Sequence, residues 1–347
     1  IEKRGIAPCR DACPAGQRAQ GYIALIREGR YEEALRVIKE DNPFPGICGR
    51  ICNHRCETAC NRNLVDEPLN IRALKRFVTD KVYAKPRVPR PPAERKYPER
   101  VAIIGAGPCG LTAAQDLCKL GYGVTVFEAL PVAGGMLRVG VPEFRLPTEI
   151  IEREVQDILD LGVELRLNTP ITNLDAVFAQ GFNAVLIAVG AHEGKKLPIP
   201  GADLPEVLVS TQFLKDVRLS DLGAGADPRP LIAGRRVLVL GGGNVAIDCA
   251  RTAVRLGAAE VALACLESRE TMPAHASEVA EAEAEGVKVY PSRSFTRILD
   301  QDGHVAGAEG SAARCPRHYP VQGPAGLRQE RSPIHPGPPG RCAVHPL

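Results

Sequence analysis

The sequence predicts an α/β protein in which a small all-helical module precedes two Rossmann-like, three-layer nucleotide-binding domains. Three observations support this prediction. The first 84 residues carry six cysteines and show apolar periodicity of about 3.6 residues. After residue 99 the pattern changes twice to strand, glycine-rich turn, helix and strand. Because strands and helices alternate there, we expect parallel sheets.

Length and composition indicate a globular protein without a polyanionic partner. A chain of 347 residues is long enough for two or three domains. Charged residues make up 24% and the net charge is only +3, so we expect no nucleic-acid partner. No apolar stretch approaches the roughly 20 residues needed to span a bilayer, and no secretion signal is present. We therefore expect no membrane association and a cytoplasmic location.

The helical module is predicted to span residues 1–84. Apolar residues recur at helical spacing over 22–26 and 31–38, and a stretch with two prolines and a glycine, 41–46, follows them. Residues 85–98 are rich in proline, which is typical of an extended linker between domains.

Metal ligation is predicted for six cysteines of this module. In a chain without a secretion signal, clustered cysteines are more often metal ligands than disulfides. Four of them recur every four residues, and on a straight helix they would climb roughly 18 Å, at about 1.5 Å per residue. Either the segment bends, or the cysteines are divided between two sites. The candidates are Cys9, Cys13, Cys48, Cys52, Cys56 and Cys60.

The residues leave two kinds of metal site open, because thiolates select either zinc or iron-sulfur clusters. A structural zinc site with His54 as a further ligand is one alternative, although zinc spacing more often pairs two close cysteines with a distant second pair. The nucleotide-binding domains downstream favour the iron-sulfur cluster. Such a domain can hold a flavin, which passes single electrons, and an adjacent iron-sulfur cluster accepts them.

A first nucleotide-binding domain is predicted over residues 99–232. Its apolar strand, 101–104, leads into a GxGxxG turn that opens a helix. In such a turn the first glycine permits the tight bend, the second lets the backbone approach a pyrophosphate, and the third allows close helix packing. The next strand ends on Glu128, where an acid would hold a ribose hydroxyl. The turn contains Gly105, Gly107, Pro108 and Gly110.

A second nucleotide-binding domain is predicted over residues 233–306. A glycine-rich turn again follows an apolar strand, with Ala246 in place of the third glycine, and the next strand ends on Glu267. The turn contains Gly241, Gly242 and Gly243. Two dinucleotides are therefore expected. Residues 307–347 show no periodicity and are predicted to form a disordered tail unrelated to the fold.

Four segments together resemble the glutamate synthase small subunit family, and the N-terminal half of dihydropyrimidine dehydrogenase is similar. The segments are 41–52 (DNPFPGICGRIC), 56–60 (CETAC), 133–147 (AGGMLRVGVPEFRLP) and 241–248 (GGGNVAID). The resemblance implies a helical domain with two 4Fe-4S clusters, an FAD domain, and an NAD(P)-binding domain inserted into the FAD domain.

The resemblance also implies roles for residues at matching positions. Contacts to FAD are implied for Gly105, Gly107, Gly110, Glu128, Gly135 and Arg145. Contacts to the nicotinamide dinucleotide phosphates are implied for Gly242, Gly243, Asn244 and Val245. One cluster would take Cys9 and Cys60, and the other Cys13, Cys52 and Cys56. Hydride would pass from nicotinamide C4 to flavin N5, so no acid–base residue is required.

The chain departs from the family at several points. Lys75 stands where relatives carry a Gln or Glu cluster ligand, and a protonated lysine cannot coordinate, so Cys48 would replace it. NADPH-using relatives carry an arginine pair where this chain has Leu266 and Glu267. A carboxylate there would repel a 2'-phosphate, so we expect NADH to be preferred. The family has a further Cys-x2-Cys before Cys9 and a return to the FAD domain at its end, so we expect truncation at both ends.

The expected function is that of an oxidoreductase subunit that passes electrons from NAD(P)H through FAD and 4Fe-4S clusters. The acceptor would be a larger catalytic or electron-accepting subunit, in a hetero-oligomer. The alternative is a non-catalytic zinc-bearing scaffold, or an inactive fragment of such a flavoprotein. Colour would distinguish them, because a flavin and iron-sulfur protein is brown.

Overall fold

The computed structural model describes residues 5–312 and divides the chain into two compact units, Ile1–Ala191 and His192–Leu347. The division does not coincide with the predicted boundary at 232/233. Residues 192–232 group with the second unit because Phe213 and Leu214 belong to the same apolar core as Ile247. None of the described helices is long and apolar enough to cross a membrane.

The first unit begins with a helical module. Its core contains Tyr22, Ala34, Ile38, Ile71 and Val78, which lie at helical spacing on three helices. The helices are α1 (Pro8–Asp11), α2 (Ala19–Arg27), α3 (Tyr31–Asp41), α4 (Pro45–Ile51), α5 (Arg55–Thr58) and α6 (Ile71–Tyr83), with a 3-10 turn at Asn61–Leu64. The apolar periodicity therefore predicted the helices correctly.

A four-stranded parallel sheet follows in the same unit, in the order β3-β2-β1-β4. Val101 on β1 pairs with Val124 on β2 and with Ala184 on β4. The elements are β1 (Arg100–Ile104), α7 (Pro108–Leu120), β2 (Gly123–Phe127), α8 (Met136–Val139), α9 (Thr148–Leu159), β3 (Glu164–Arg166), α10 (Leu174–Phe178) and β4 (Ala184–Ile187). The carboxyl end of β1 leads directly into the first glycine-rich turn, as expected for a Rossmann-like domain.

The second unit contains a three-stranded parallel sheet in the order β5-β6-β7. Its elements are α11 (Ser210–Ser220), α12 (Arg229–Ile232), β5 (Arg236–Leu240), α13 (Asn244–Arg255), β6 (Glu260–Ala264), α14 (Ala276–Ala284) and β7 (Lys288–Tyr290). Val237 on β5 pairs with Val261 on β6, which repeats the arrangement of β1 and β2. The second glycine-rich turn again follows the carboxyl end of the first strand.

An antiparallel hairpin ends the described chain. It consists of β8 (Arg293–Gln301) and β9 (His304–Ala312), so the predicted boundary at 306/307 falls inside a strand. Asp302 and Gly303 both have positive φ, as a two-residue hairpin turn requires. Because β9 is rich in glycine, it lacks the apolar alternation that would have predicted a strand. The tail predicted to be disordered otherwise lies outside the described residues.

Candidate functional site

The first glycine-rich turn is shaped by atoms that leave no room for side chains. Gly105 has φ +108°, and a Cβ there would lie 2.4 Å from the carbonyl oxygen of Ala188. A Cβ on Gly110 would lie 2.0 Å from the carbonyl oxygen of Gly105. Pro108 occupies the first turn of α7, where its missing N–H costs nothing. The geometry matches the roles of the first and third glycines in a dinucleotide turn.

The middle glycine of this turn, Gly107, has open space where a side chain would lie. Gly107 is the N-cap residue of α7, and its nearest neighbour would be the Cα of Gly135, at 3.9 Å from an added Cβ. Backbone N–H groups at such a helix start attract a phosphate. The structure thus leaves open space beside the N-cap residue of α7.

Glu128 lies at this turn, as the sequence predicts. Its side chain is buried, and its Oε2 accepts a hydrogen bond from the Ala106 amide at 2.8 Å. Its Oε1 accepts from the Leu130 amide at 2.9 Å. The carboxylate is therefore fixed between the turn and the loop after β2, where an acid can hold a ribose hydroxyl.

The segment predicted to follow the flavin packs on the same turn. The amide of Gly134 donates to the Ala106 carbonyl at 2.8 Å. Gly135 has φ +55°, and a Cβ there would lie 2.8 Å from the Cα of Gly107. Arg145 is half-buried in the turn that precedes α9, where its amide donates to Pro142. The first two residues touch the turn, whereas Arg145 lies ten residues further along the same segment.

The second glycine-rich turn brings an acid close to its backbone. Gly241 has φ +141°, and Gly243 is the N-cap residue of α13 with nothing within 4 Å of an added Cβ. A Cβ on Gly242 would lie 2.9 Å from Glu267 Oε2 and 2.9 Å from the Cβ of Cys265. Glu267 lies three residues beyond the end of β6 and its side chain reaches the turn.

The first turn of α13 is hydrogen-bonded to the segment that precedes α14. Asn244 Oδ1 accepts a hydrogen bond from the His275 amide at 2.9 Å, which ties the start of α14 to the glycine-rich turn. Val245 is 49% exposed. The amide of Ala274 donates to the Gly242 carbonyl at 3.0 Å. The segment before α14 is therefore tied to the turn at Gly242 and at Asn244.

The four-residue cysteine series does not lie on one straight helix. Helix α4 ends at Ile51, and His54 has φ +41° before α5 begins. Cys60 follows α5 and precedes the 3-10 turn. The segment bends, which was one of the two arrangements considered from the sequence. The bend brings cysteines of α4 and α5 to one cavity.

Five of the six cysteines line this small cavity. They are Cys9, Cys13, Cys48, Cys52 and Cys56, together with Gln17, Tyr22, His54, Arg72 and Lys75. Cys60 is not among the lining residues. Burial raises the pKa of the Cys9 thiol, backbone hydrogen bonds lower it, and the charges of Cys60 and Cys13 raise it further.

Burial also raises the pKa of the Cys48 thiol, and raises that of Cys56 to about 11. A bound metal would have the opposite effect on these pKa values, because a coordinated thiol is deprotonated.

Close packing of α4 on α6 shapes one wall of the cavity. A Cβ on Gly49 would lie 2.9 Å from the Cα of Arg76, so the two helices approach backbone to backbone. This approach places Cys48 of α4, and Cys52 directly after it, in one cavity lining with Lys75 of α6. A side chain at position 49 would separate them.

The chemistry of the cavity lining fits a cluster with thiolate ligands. Within residues 5–312 no group of three or more His, Cys, Asp or Glu is arranged to hold one metal ion. A zinc ion needs its sulfur ligands at about 2.3 Å from one point, whereas cluster ligands lie further apart because each binds its own iron. Two buried polar atoms of the lining, Tyr22 Oη and Gln17 Oε1, have no hydrogen-bond partner. The donor set, five thiols on one cavity, is the ligand chemistry of an iron-sulfur cluster.

Glu154, which no sequence pattern singled out, is fully buried on α9. Its carboxylate accepts hydrogen bonds from the amides of Gly46 at 2.5 Å and Ile47 at 3.2 Å, and from the Tyr83 hydroxyl at 3.0 Å. Burial raises its pKa to about 7 despite these donors. A glutamate within the apolar stripe of α9 was the only sign in the sequence. It joins the sheet domain to the helix that carries Cys48.

Together these features define a dinucleotide-dependent oxidoreductase with an attached iron-sulfur module. Two glycine-rich turns open helices in parallel sheets, each with an acid beside it, and a cavity lined by thiols lies in the helical module. Residues 4–86 match the dihydropyrimidine dehydrogenase domain II, 4Fe-4S cluster family. Residues 99–317, well over half of the chain, match the pyridine nucleotide-disulphide oxidoreductase family. The chain belongs to this family.

Curated relatives are similar over most of this chain. The NADP(+)-dependent formate dehydrogenase subunit beta of Moorella thermoacetica is 43% identical over 87% of this chain and 45% of its own length. The NADPH-Fe(3+) oxidoreductase subunit beta of Geobacter sulfurreducens is 40% identical, with the same two coverages. A glutamate synthase [NADPH] small chain of Halomonas elongata is 34% identical over 85% of this chain and 64% of its own length. The chain thus spans about half the length of the first two.

Solved structures agree on the fold. FprA of Mycobacterium tuberculosis in complex with NADPH has a TM-score of 0.52 at 20% identity, over 62% of this chain and 64% of that one. A 2-naphthoyl-CoA reductase complex has a TM-score of 0.51 at 23% identity, over 78% of this chain and 40% of that one. The family matches imply 4Fe-4S, FAD and NAD(P)H as cofactors, and the expected resemblance is confirmed.

Proposed function

We propose that this chain is an electron-transfer subunit that accepts electrons from NAD(P)H and delivers them to a larger electron-accepting partner. The observation that carries the proposal is the presence, in one chain, of two dinucleotide turns and a cavity lined by five thiols. When bound, FAD supplies the change from hydride to single-electron chemistry, and 4Fe-4S clusters accept single electrons. The relatives give no support to the scaffold alternative.

Three sets of residues would bind the three kinds of cofactor. FAD would be held by Gly105, Gly107, Pro108, Gly110 and Glu128, with Gly135 and Arg145 along the flavin. The nicotinamide dinucleotide would be held by Gly241, Gly242, Gly243, Asn244, Val245 and Glu267. The cluster ligands would be Cys9, Cys13, Cys48, Cys52, Cys56 and Cys60. The chain's residues bind and orient, and no residue of the chain has to move a proton.

A hetero-oligomer fits the relatives, because those from Moorella and Geobacter are named as beta subunits and the Halomonas protein as a small chain. In this proposal the partner contains the substrate site and receives electrons from the clusters. This chain would then need no substrate pocket of its own, and its binding sites would serve cofactors alone.

An anaerobic absorbance spectrum of the purified chain, with iron, zinc and flavin assayed, tests the proposal. We expect broad iron-sulfur absorption and flavin bands, both bleached when NADH is added. Zinc without bound flavin would contradict the proposal and restore the scaffold alternative. Iron and flavin that no nicotinamide nucleotide reduces would also contradict it.

The cluster ligands can be tested with a matched pair of variants. Cys48→Ala should lower the iron content, because Cys48 lines the cavity with four other cysteines. Cys118→Ala should leave the iron content unchanged, because Cys118 is a buried core residue of α7. Equal iron content in the two variants would remove Cys48 from the ligand set. Iron and acid-labile sulfide assays provide the measurement.

A further inference from the structure

Lys75 is a buried cation that forms no ion pair with a carboxylate of the described residues. The residue is only 8% exposed in the middle of α6. Within residues 5–312, no carboxylate lies within 4.0 Å of its ammonium group. Burying an unpaired charge is costly, so such a residue needs a compensating group nearby.

The groups around Lys75 are thiols and a tyrosine. The side chain lines the cavity together with Cys13, Cys48, Cys52 and Cys56. Its Nζ lies 6.0 Å from the centre of the Tyr22 ring. Tyr22 is fully buried, and its Oη has no hydrogen-bond partner among the described residues. Lys75 therefore contributes a positive charge, and Tyr22 an unpaired hydroxyl donor, to a cavity lined by thiols.

We propose that Lys75 and Tyr22 set the reduction potential of the cluster that this cavity holds, Lys75 as a fixed counter-charge and Tyr22 as a hydrogen-bond donor to sulfur. The inference rests on the proposed function, which supplies the cluster and its electrons. An added electron makes an anionic cluster more negative, so a nearby cation and an O–H donor favour the reduced state. Only one electron is gained, and no bond to Lys75 or Tyr22 forms or breaks. Lys75 is not a ligand in this arrangement.

The test is a redox titration of the reduced cluster's electron paramagnetic resonance signal. Lys75→Met should shift the reduction equilibrium at least tenfold toward the oxidised cluster, which is a potential about 59 mV lower for a one-electron couple. Tyr22→Phe should shift it in the same direction by less. Lys75→Arg keeps the charge and should remain close to the wild type. Lys81→Met removes a lysine from the exposed side of the same helix and should have no effect.

The outcomes separate this inference from the function on which it rests. A wild-type chain without iron and sulfide would refute the proposed function itself. A wild-type cluster whose potential is unchanged in both Lys75→Met and Tyr22→Phe would overturn the inference alone. Loss of iron in both Lys75→Met and Lys75→Arg, with Tyr22→Phe at the wild-type potential, would overturn it in favour of a ligand role. A lower potential in Tyr22→Phe supports it even if Lys75→Met does not fold.

Discussion

Gly107 and Gly110 belong to the same turn, but the space around their missing side chains differs. A Cβ on Gly110 would lie 2.0 Å from a carbonyl oxygen, a distance that forces the backbone to move. A Cβ on Gly107 would meet nothing closer than 3.9 Å, and its φ of −78° suits any residue. Gly110 is therefore required by the fold, whereas the fold leaves room for a side chain at Gly107. In the proposed function the pyrophosphate of FAD approaches through that space.

The two glycines give the first prediction. Gly110→Ala should lower the free energy of unfolding by about 1–3 kcal/mol through overpacking. Gly107→Ala should keep the wild-type melting temperature without FAD but lose most of its bound flavin, because a methyl group would block the pyrophosphate. Thermal unfolding and flavin content of both variants check this. Wild-type flavin content in Gly107→Ala would show that the nucleotide does not approach this turn.

Glu267 gives a second prediction at the residue scale. Its Oε2 lies at the second glycine-rich turn, where it would repel a 2'-phosphate. NADH should therefore reduce the flavin faster than NADPH, and Glu267→Gln should reduce that preference by about tenfold, or about 1.4 kcal/mol. Stopped-flow flavin reduction measures both rates, with the exposed Glu270→Gln as control. Faster reduction by NADPH in the wild type would contradict the prediction.

Among the elements, α9 and α4 are joined by one buried carboxylate. Glu154 of α9 accepts from the amides of Gly46 and Ile47 at the start of α4. The contact needs a glycine, because a Cβ on Gly46 would lie 2.9 Å from Glu154 Oε1. The helix that carries Cys48 is thereby fixed to the sheet domain of the same unit. Glu154 is therefore a positioning residue for that helix.

The buried carboxylate predicts a pH dependence of stability. Its pKa rises from 4.5 in the unfolded chain to about 7 in the folded one, so the folded state binds the proton more tightly. Stability from this group is thus complete below pH 4.5 and is lost as the pH rises to about 7. The loss is about 3 kcal/mol, and Glu154→Gln should remove it. Urea unfolding between pH 5 and about 8 checks this.

A variant on the same helix supplies the control for this experiment. Glu149 is exposed in the first turn of α9, so Glu149→Gln should retain the wild-type pH dependence. If Glu154→Gln and Glu149→Gln lost stability equally across this range, Glu154 would not be the group responsible.

For the whole molecule, the two compact units each contain one glycine-rich turn. A ligand that binds only a folded unit stabilises it, by about 2.7 kcal/mol at a concentration of 100 times its dissociation constant. FAD should therefore raise the unfolding temperature of the first unit, and NADH that of the second. Calorimetry measures both transitions. Gly107→Ala should abolish the FAD shift and leave the NADH shift, and a single transition that both ligands move equally would contradict this.

The sequence by itself determined the cofactor classes and most elements of the fold, because these depend on local chain geometry and on side-chain chemistry. Gly105 and Gly241 need positive φ, and this steric requirement can be read without knowing the rest of the structure. The cysteines identified a metal site through thiol chemistry alone. Periodicity predicted the helices of the first module but missed β9, where Gly307 and Gly310 interrupt the alternation. The adjacent Asp302 and Gly303 are a pair typical of a two-residue hairpin turn, and this was the local sign of the hairpin.

Only the tertiary structure decided which distant residues share a site. The carboxylate of Glu154 and the amide of Gly46 are 108 positions apart, so no local pattern relates them. Lys75 stands on a regular amphipathic helix, and only the approach of α4 at Gly49 places it against the thiols. Burial raises the pKa of Glu154. It also removes the Lys75 side chain from water, where a charge needs a partner. Sequence determines which groups are present, and packing determines which of them act on each other.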